Sequence, residues 1–223
     1  MRLTPELVAR CHRVISDPGP EPKYDYFSDD DYVTATEAVV AGKPDGPIWL
    51  FAYGSLIWKP EFSTAETRRA ICHGWQRAFS MKIERFRGTP EQPGYMMCLD
   101  TGGICEGLAL RLNNEDSSSH IHALLYREIG SHEALESVRW IDVQTAEGPL
   151  RALVFYARPH LLDFYADNRP LAEVARGMAR ACGHWGSGAD YLFNTVSHLE
   201  KLGIHDDNLW KLQELVAQEI ESA

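Results

Sequence analysis

The sequence is short of basic charge. Its 223 residues carry 22 lysines and arginines against 32 aspartates and glutamates, a formal net charge of −10. A general binder of nucleic acid or of anionic membranes needs a basic face, so neither partner is expected; an acidic small molecule in a locally basic pocket is compatible with the balance. No apolar run is long enough to cross a membrane, because the longest, Pro47 to Trp58, is short and is broken by Gly54. The N-terminal MRLTPELVARCHRV carries charges throughout and lacks the apolar centre of a signal peptide, so a cytoplasmic protein is expected. None of the five cysteines (Cys11, Cys72, Cys98, Cys105, Cys182) belongs to a C-x-x-C pair. A hairpin at the DTGG stretch, Asp100 to Gly103, would place Cys98 opposite Cys105, but in a reducing compartment both are expected as small buried thiols. The nine histidines are scattered, His120 and His122 fall on different helix faces, and no H-E-x-x-H occurs, so no metal site is expected. The glycine-rich GHWGSG has neither a following Lys-Ser/Thr nor a preceding strand, which excludes a phosphate-cradling loop of the usual kind.

What is present suits an ordinary globular domain: 44% of residues are hydrophobic and 24% charged. Residues 1–46 read as a helical extension. Thr4 caps a first helix with Pro5 at its start, running to about Ile15, and Ser28 followed by three aspartates starts a second, to about Val40. The breaker stretch GKPDGP marks a boundary, and residues 47–223 form the main domain. From Ile48 the pattern turns to strands, over 48–53, 71–83, 95–99, 104–112, 137–145 and 150–157, separated by RGTPEQPG, DTGG and AEGP. One helix, Ser117 to Ile129, interrupts them; after Pro159 the pattern is helical over 170–182, 188–202 and 206–221. The expected fold is α+β: a small, mostly antiparallel barrel or sheet with surrounding helices and helical additions at both ends.

Three stretches carry chemistry. In FAYGSLIW a buried-type strand meets Tyr53, Gly54 and Ser55 before the apolar residues resume. A glycine weakens a strand, so its presence indicates either a β-bulge or a loop whose backbone N–H groups receive a carboxylate or an oxyanion. Ser55 is not in a G-x-S-x-G elbow. On the helix from Ser117, Ile121, Leu124 and Leu125 define an apolar stripe whose next position is Glu128. Buried there, a carboxylate has a raised pKa suited to general acid–base work; at a frayed end, it points to water or pairs with an arginine. In RFRGTPEQPGY, Arg85 and Arg87 flank a Gly/Pro loop, which serves either to grip a substrate carboxylate or as a solvated basic turn.

Taken in order, these stretches resemble the ChaC-like branch of the γ-glutamylcyclotransferases. FAYGSLIWKPEF is similar to the opening strand and YGSL loop, RGTPEQPG to the Gly/Pro hairpin, and GGICEGLALRL to the next strand. LLYRE resembles the helix end bearing the catalytic glutamate, and GSGADYL the segment presenting a substrate-contacting tyrosine. The resemblance spans about Ile48 to Leu202. Where the family carries Trp-Gln-Gly this chain has Ser80-Met81-Lys82, and IGSHEAL follows the glutamate in place of Gly-Gly-Tyr.

The resemblance implies a γ-glutamylcyclotransferase-like fold and an intramolecular reaction, in which the α-amine of a γ-glutamyl group attacks its own γ-carbonyl to give 5-oxoproline. No cofactor is implied. Glu128 is the implied catalytic residue; Tyr53, Gly54, Ser55 and Leu56 are implied to bind the head group, with Arg87 and Tyr191 as further substrate contacts. The implied substrate is glutathione, with other γ-glutamyl amines or dipeptides, or a non-catalytic regulatory or binding role, as rival readings. No oligomeric state follows from the resemblance.

Overall fold

Strand β1 (Trp49–Ala52) shows how the apolar sequence is used. Successive side chains on a strand point to opposite faces, and here both faces are covered. Leu50 and Ala52 pack with Ile121, Leu124, Leu125 and Leu153, whereas Trp49 and Phe51 pack with Cys72, Leu99, Ala109 and Val154. A strand buried on both faces reads as a continuous hydrophobic run, as this one does.

The computed structural model describes residues 1–60, 62–113, 117–156 and 169–223. Helices α1 (Pro5–Arg10) and α2 (Asp29–Ala41) precede β1, and α3 (Ser55–Trp58) follows it. Then come β2 (Thr64–Ile83), β3 (Gly94–Leu112), α4 (Ser117–Glu128), a 3-10 turn at His132–Ser137, β4 (Val138–Thr145) and β5 (Gly148–Phe155). The remainder is α5 (Leu171–Arg180), the two-residue strands β6 (Cys182–Gly183) and β7 (Gly186–Ser187), α6 (Gly188–Lys201) and α7 (Asp207–Glu221). The five long strands close into a barrel in the order β1-β3-β2-β4-β5. β1 runs antiparallel to β3, with Phe51 opposite Ala109, and closes on β5 through a parallel contact of Leu50 with Leu153. The α+β class and the mostly antiparallel barrel are as the sequence indicates.

The chain forms two compact units. One holds Pro20–Arg77 and residues 99–156, including both apolar clusters and helices α2 and α4. The other holds Met1–Gly19, Ala78–Cys98 and the described residues from 169 onward. Within the latter, Leu209, Leu212, Val216 and Ile220 give α7 a buried stripe, and α5 buries Val174, Ala175, Met178 and Ala179.

The caps follow the sequence. Ser28 and Asp31 form a capping box on α2, and Ser187 and Asp206 accept from the third backbone N–H of α6 and α7. Two local expectations fail. Helix α1 stops at Arg10 instead of near Ile15; the apolar residues Leu56–Trp58, which belong to none of the expected strands, form a short helix. DTGG is not a hairpin: β3 runs through it as one strand. Gly102 and Gly103 take positive φ there, and the Gln76 amide donates to the Thr101 carbonyl at 3.2 Å, so the stretch is absorbed as a glycine bulge. That removes the proposed juxtaposition of Cys98 and Cys105. All five cysteines are free and buried, as the sequence reading expected, and burial pushes the Cys72 thiol up to about 12. The strand expected to reach 157 ends at Phe155, and residue 157 lies outside the described residues.

Candidate active site

β1 delivers Tyr53, Gly54, Ser55 and Leu56 to its C-terminal end. Gly54 has φ −135° and ψ −125°, neither strand nor helix, and its carbonyl accepts the Ile57 N–H at 2.9 Å to start α3. Tyr53 is tied at both ends of the residue. Its hydroxyl donates to the Phe155 carbonyl at 2.8 Å, and its own carbonyl accepts from Arg77 Nε at 2.7 Å. Leu56 turns its side chain into the core and is only 6% exposed, which leaves its backbone as the part facing the segment's surface. Arg77 also donates to the Glu106 carbonyl and is 5% exposed. A buried guanidinium thus joins the YGSL segment to β3 by donating to a backbone carbonyl on each.

Helix α4 brings Glu128 to the same segment. Ile121, Leu124 and Leu125 are buried as the stripe predicts, and Ile129 resumes it just beyond the helix. Glu128 is the last helical residue, with a quarter of its side chain exposed, so the deep burial read from the stripe does not occur. It pairs with an arginine instead: Arg127 Nε stands 3.0 Å from Glu128 Oε1. The same guanidinium donates to Ser55 Oγ at 3.0 Å and to the Lys59 carbonyl. One planar fork, with each of its three nitrogens on a different partner, therefore holds the carboxylate against the Ser55–Lys59 turn, a fixed geometry an ammonium lacks. In this arrangement Ser55 is an acceptor for arginine.

Arg87 and Tyr191 belong to the other unit and meet each other there. Arg87 is 9% exposed; its Nη1 donates to the Ser187 carbonyl and to Asp190 Oδ2, each at 2.9 Å, and its guanidinium lies 5.3 Å from the Tyr191 ring centroid. The solvated basic turn weighed for this stretch is not what forms around Arg87. Arg85 binds Asp17. Ser80 is buried against Cys98 Sγ at 2.8 Å, whereas Lys82 is half-exposed, 3.8 Å from Glu84, and lines an open cleft of about 270 Å³ with Tyr95, Arg169, Glu173 and Arg176. Among the described residues no three His, Cys, Asp or Glu side chains gather in a metal-ligating group, and no helix is long and apolar enough to cross a membrane.

Sequence reading passed over two arginines. Arg127 has no motif of its own; its place beside the glutamate in LLYRE is the available signal. Arg77 interrupts an apolar strand, and a charge in such a run indicates a satisfied buried group.

A protein from Escherichia coli (strain K12) described as glutathione-specific gamma-glutamylcyclotransferase is 36% identical over 174 residues, covering 77% of this chain and 74% of that protein. Gamma-glutamylcyclotransferase 2-3 of Arabidopsis thaliana is 31% identical over 173 residues, covering 74% of this chain and 86% of that one. The crystal structure of a yeast gamma-glutamyl cyclotransferase specific to glutathione superposes with a TM-score of 0.69 at 20% identity, over 78% of this chain and 97% of that one, which shows a shared fold. The family model of ChaC-like proteins matches residues 48–219. The chain belongs to the ChaC-like protein family.

Proposed function

We propose that this protein is a γ-glutamylcyclotransferase that cleaves glutathione to 5-oxoproline and Cys-Gly. The observation that carries the reading is the Arg127 fork, which holds the Glu128 carboxylate on the Ser55–Lys59 turn. Family membership and the activity named for the bacterial relative support it.

The chemistry needs little beyond geometry. The α-amino nitrogen of the γ-glutamyl group forms a bond to its own γ-carbonyl carbon, and the amide bond to the cysteine nitrogen breaks. Nucleophile and electrophile share one molecule, so holding the bent conformer is the main task; orientation of this kind is worth roughly 7–11 kcal/mol. Glu128 takes a proton as the ammonium becomes a nucleophile and returns it to the leaving nitrogen; the second proton that the attacking nitrogen sheds as the lactam forms goes to the released amine, which departs as an ammonium, so protons balance. Backbone N–H groups around Tyr53, Gly54, Ser55 and Leu56 receive the head group or the developing oxyanion. Arg87 and Tyr191 contact substrate. The catalytic domain runs from residue 47, with residues 1–46 as an extension, and the free thiols suit a cytoplasmic setting.

A second reading keeps the reaction and widens the substrate to other γ-glutamyl amines or dipeptides. It is favoured by Ser80-Met81-Lys82, where Ser80 is buried and Lys82 is half-exposed beside Glu84. A panel of glutathione, γ-glutamyl alanine, a γ-glutamyl amine and N-acetyl glutathione, with 5-oxoproline as the common product, tests both. Highest turnover with glutathione is expected. Faster turnover of another γ-glutamyl compound selects the second reading; turnover of N-acetyl glutathione, whose nitrogen is blocked, overturns the ring closure. Absence of 5-oxoproline from every substrate overturns the enzymatic reading.

A further inference from the structure

Phe86 is the one non-glycine residue with positive φ, 65°, among the described residues. The Arg87 N–H donates back to the Arg85 carbonyl at 2.9 Å, closing a three-residue turn around it. With a positive φ at its centre this is the rare, strained form of the γ-turn, and an aromatic residue has no intrinsic preference for it. Such a backbone persists only where its surroundings over-determine it.

Those surroundings lie within one unit. The Phe86 carbonyl accepts the Trp185 N–H at 2.8 Å, and its ring packs on Trp185 with centroids 4.4 Å apart. Gly183 permits the approach, because a Cβ there would lie 2.3 Å from the Phe86 oxygen. Downstream, Arg87 is held by Ser187 and Asp190 and faces Tyr191. Upstream, Arg85 is gripped by Asp17: Nε and Nη2 donate to the two carboxylate oxygens at 2.8 and 2.7 Å. Asp17 also accepts the Gly19 N–H at 3.0 Å and faces His184 Nδ1 at 3.6 Å, a buried nitrogen with no hydrogen-bond partner among the described residues. The Arg85 guanidinium holds the Asp17 carboxyl well below the usual carboxylate range. Asp17 precedes the stretch matched by the family model, so this half of the clamp comes from the N-terminal extension.

We propose that Asp17 is a positioning residue for substrate binding: by clamping Arg85 it holds the strained turn at Phe86, and so fixes Arg87 against Asp190 and Tyr191. The proposal rests on the reading of Arg87 and Tyr191 as substrate contacts. A bidentate ion pair at the start of the turn and two hydrogen bonds at its end leave Phe86 little freedom to relax. Asp17 itself touches no substrate.

The test combines two measurements on the full-length protein and its Asp17→Asn variant. Native-state hydrogen exchange reads the clamp without reference to activity, through the Arg87 amide, which bonds to Arg85, and the Trp185 amide, which bonds to Phe86. Both should exchange about tenfold faster in Asp17→Asn, with the barrel amides unchanged. With glutathione as substrate, KM should rise about tenfold and kcat stay within twofold. Adding Phe86→Gly, which takes positive φ without strain, should lower KM again, a rescue that a merely structural tether would not give. Unchanged exchange at both amides overturns the proposal. So does faster exchange with unmoved KM, or a fall in kcat without a change in KM. If the unaltered protein forms no 5-oxoproline, the functional reading fails, while the exchange measurement still decides whether the clamp exists. Should Asp17→Asn fail to fold, Arg85→Gln breaks the same pair and is read in the same way.

Discussion

Arg127 Nε and Glu128 Oε1 are 3.0 Å apart, and the remaining donors of that guanidinium reach Ser55 and Lys59. Two adjacent residues at a helix end therefore divide the work. The arginine takes the structural bonds, and the carboxylate presents an acceptor at the YGSL segment. The arrangement depends on the fork of an arginine, because three partners at fixed angles are beyond one ammonium.

Glu128→Gln should lower 5-oxoproline formation from glutathione by at least about a hundredfold, the scale of a lost general base, with the fold intact by circular dichroism. Near-native turnover would remove Glu128 from the mechanism. Arg127→Lys should retain charge and fold but lower kcat about tenfold or more, because misplacing a catalytic group by an ångström is felt at that scale.

Arg77→Leu tests the buried guanidinium under the loop. It leaves the carbonyls of Tyr53 and Glu106 without their donor, and an unsatisfied buried acceptor costs about 1–3 kcal/mol. A fall in the urea midpoint together with lost turnover is expected. Unchanged stability would mean that other donors replace it.

The same two arginines show where the sequence was legible and where it was not. The α4 stripe, the capping residues and the buried β1 run are local patterns with periods of 3.6 or 2, and they read correctly. The order of motifs marks Tyr53 to Leu56 and Glu128 as candidates, and in the structure Arg127 joins Glu128 to Ser55. The stripe left the depth of Glu128 open, because it gives direction and not where a helix ends; α4 stops at that residue, Ile129 takes the next buried place, and the frayed-end reading with an arginine partner is the one that holds. Arg77 was legible only as a charge in an apolar strand; its partners were not, because they are carbonyls distant in sequence. The DTGG stretch was misread because a glycine pair serves a tight turn or a bulge equally well, and only the Gln76 side chain on the neighbouring strand distinguishes them.

Gly107→Ala should destabilise the barrel where β1 meets β3. A Cβ at Gly107 would lie 2.4 Å from the Ala52 carbonyl oxygen and 3.1 Å from the Phe51 ring. The oxygen is backbone in a paired strand, so relief requires the strands to part. Overpacking of this kind costs about 1–3 kcal/mol, and Ala52 leads directly into Tyr53, so a lowered Tm accompanied by weaker glutathione binding is expected. An unchanged Tm would mean that β1 shifts freely.

The Asp17–Arg85 pair gives a pH dependence with a definite sign. The groups facing the carboxylate are Arg85, His184 and the Gly19 N–H. Its folded pKa is depressed, with the hydrogen bond from Arg85 as the largest cause. A depressed carboxylate contributes stability that is fully present above its unfolded value, about 3.9, and is lost as pH falls through the folded value. Asp17→Asn has no such group. The difference in Tm between the unaltered protein and this variant should therefore be constant from pH 7 down to about 5 and shrink below about pH 4. The carboxylate is substantially exposed, so the difference should also diminish in high salt. Thermal melts at pH 7, 5 and 3, each at low and high ionic strength, measure both trends. A difference that grows towards acid would show that Asp17 is destabilised by its surroundings in the folded chain and is no clamp for Arg85.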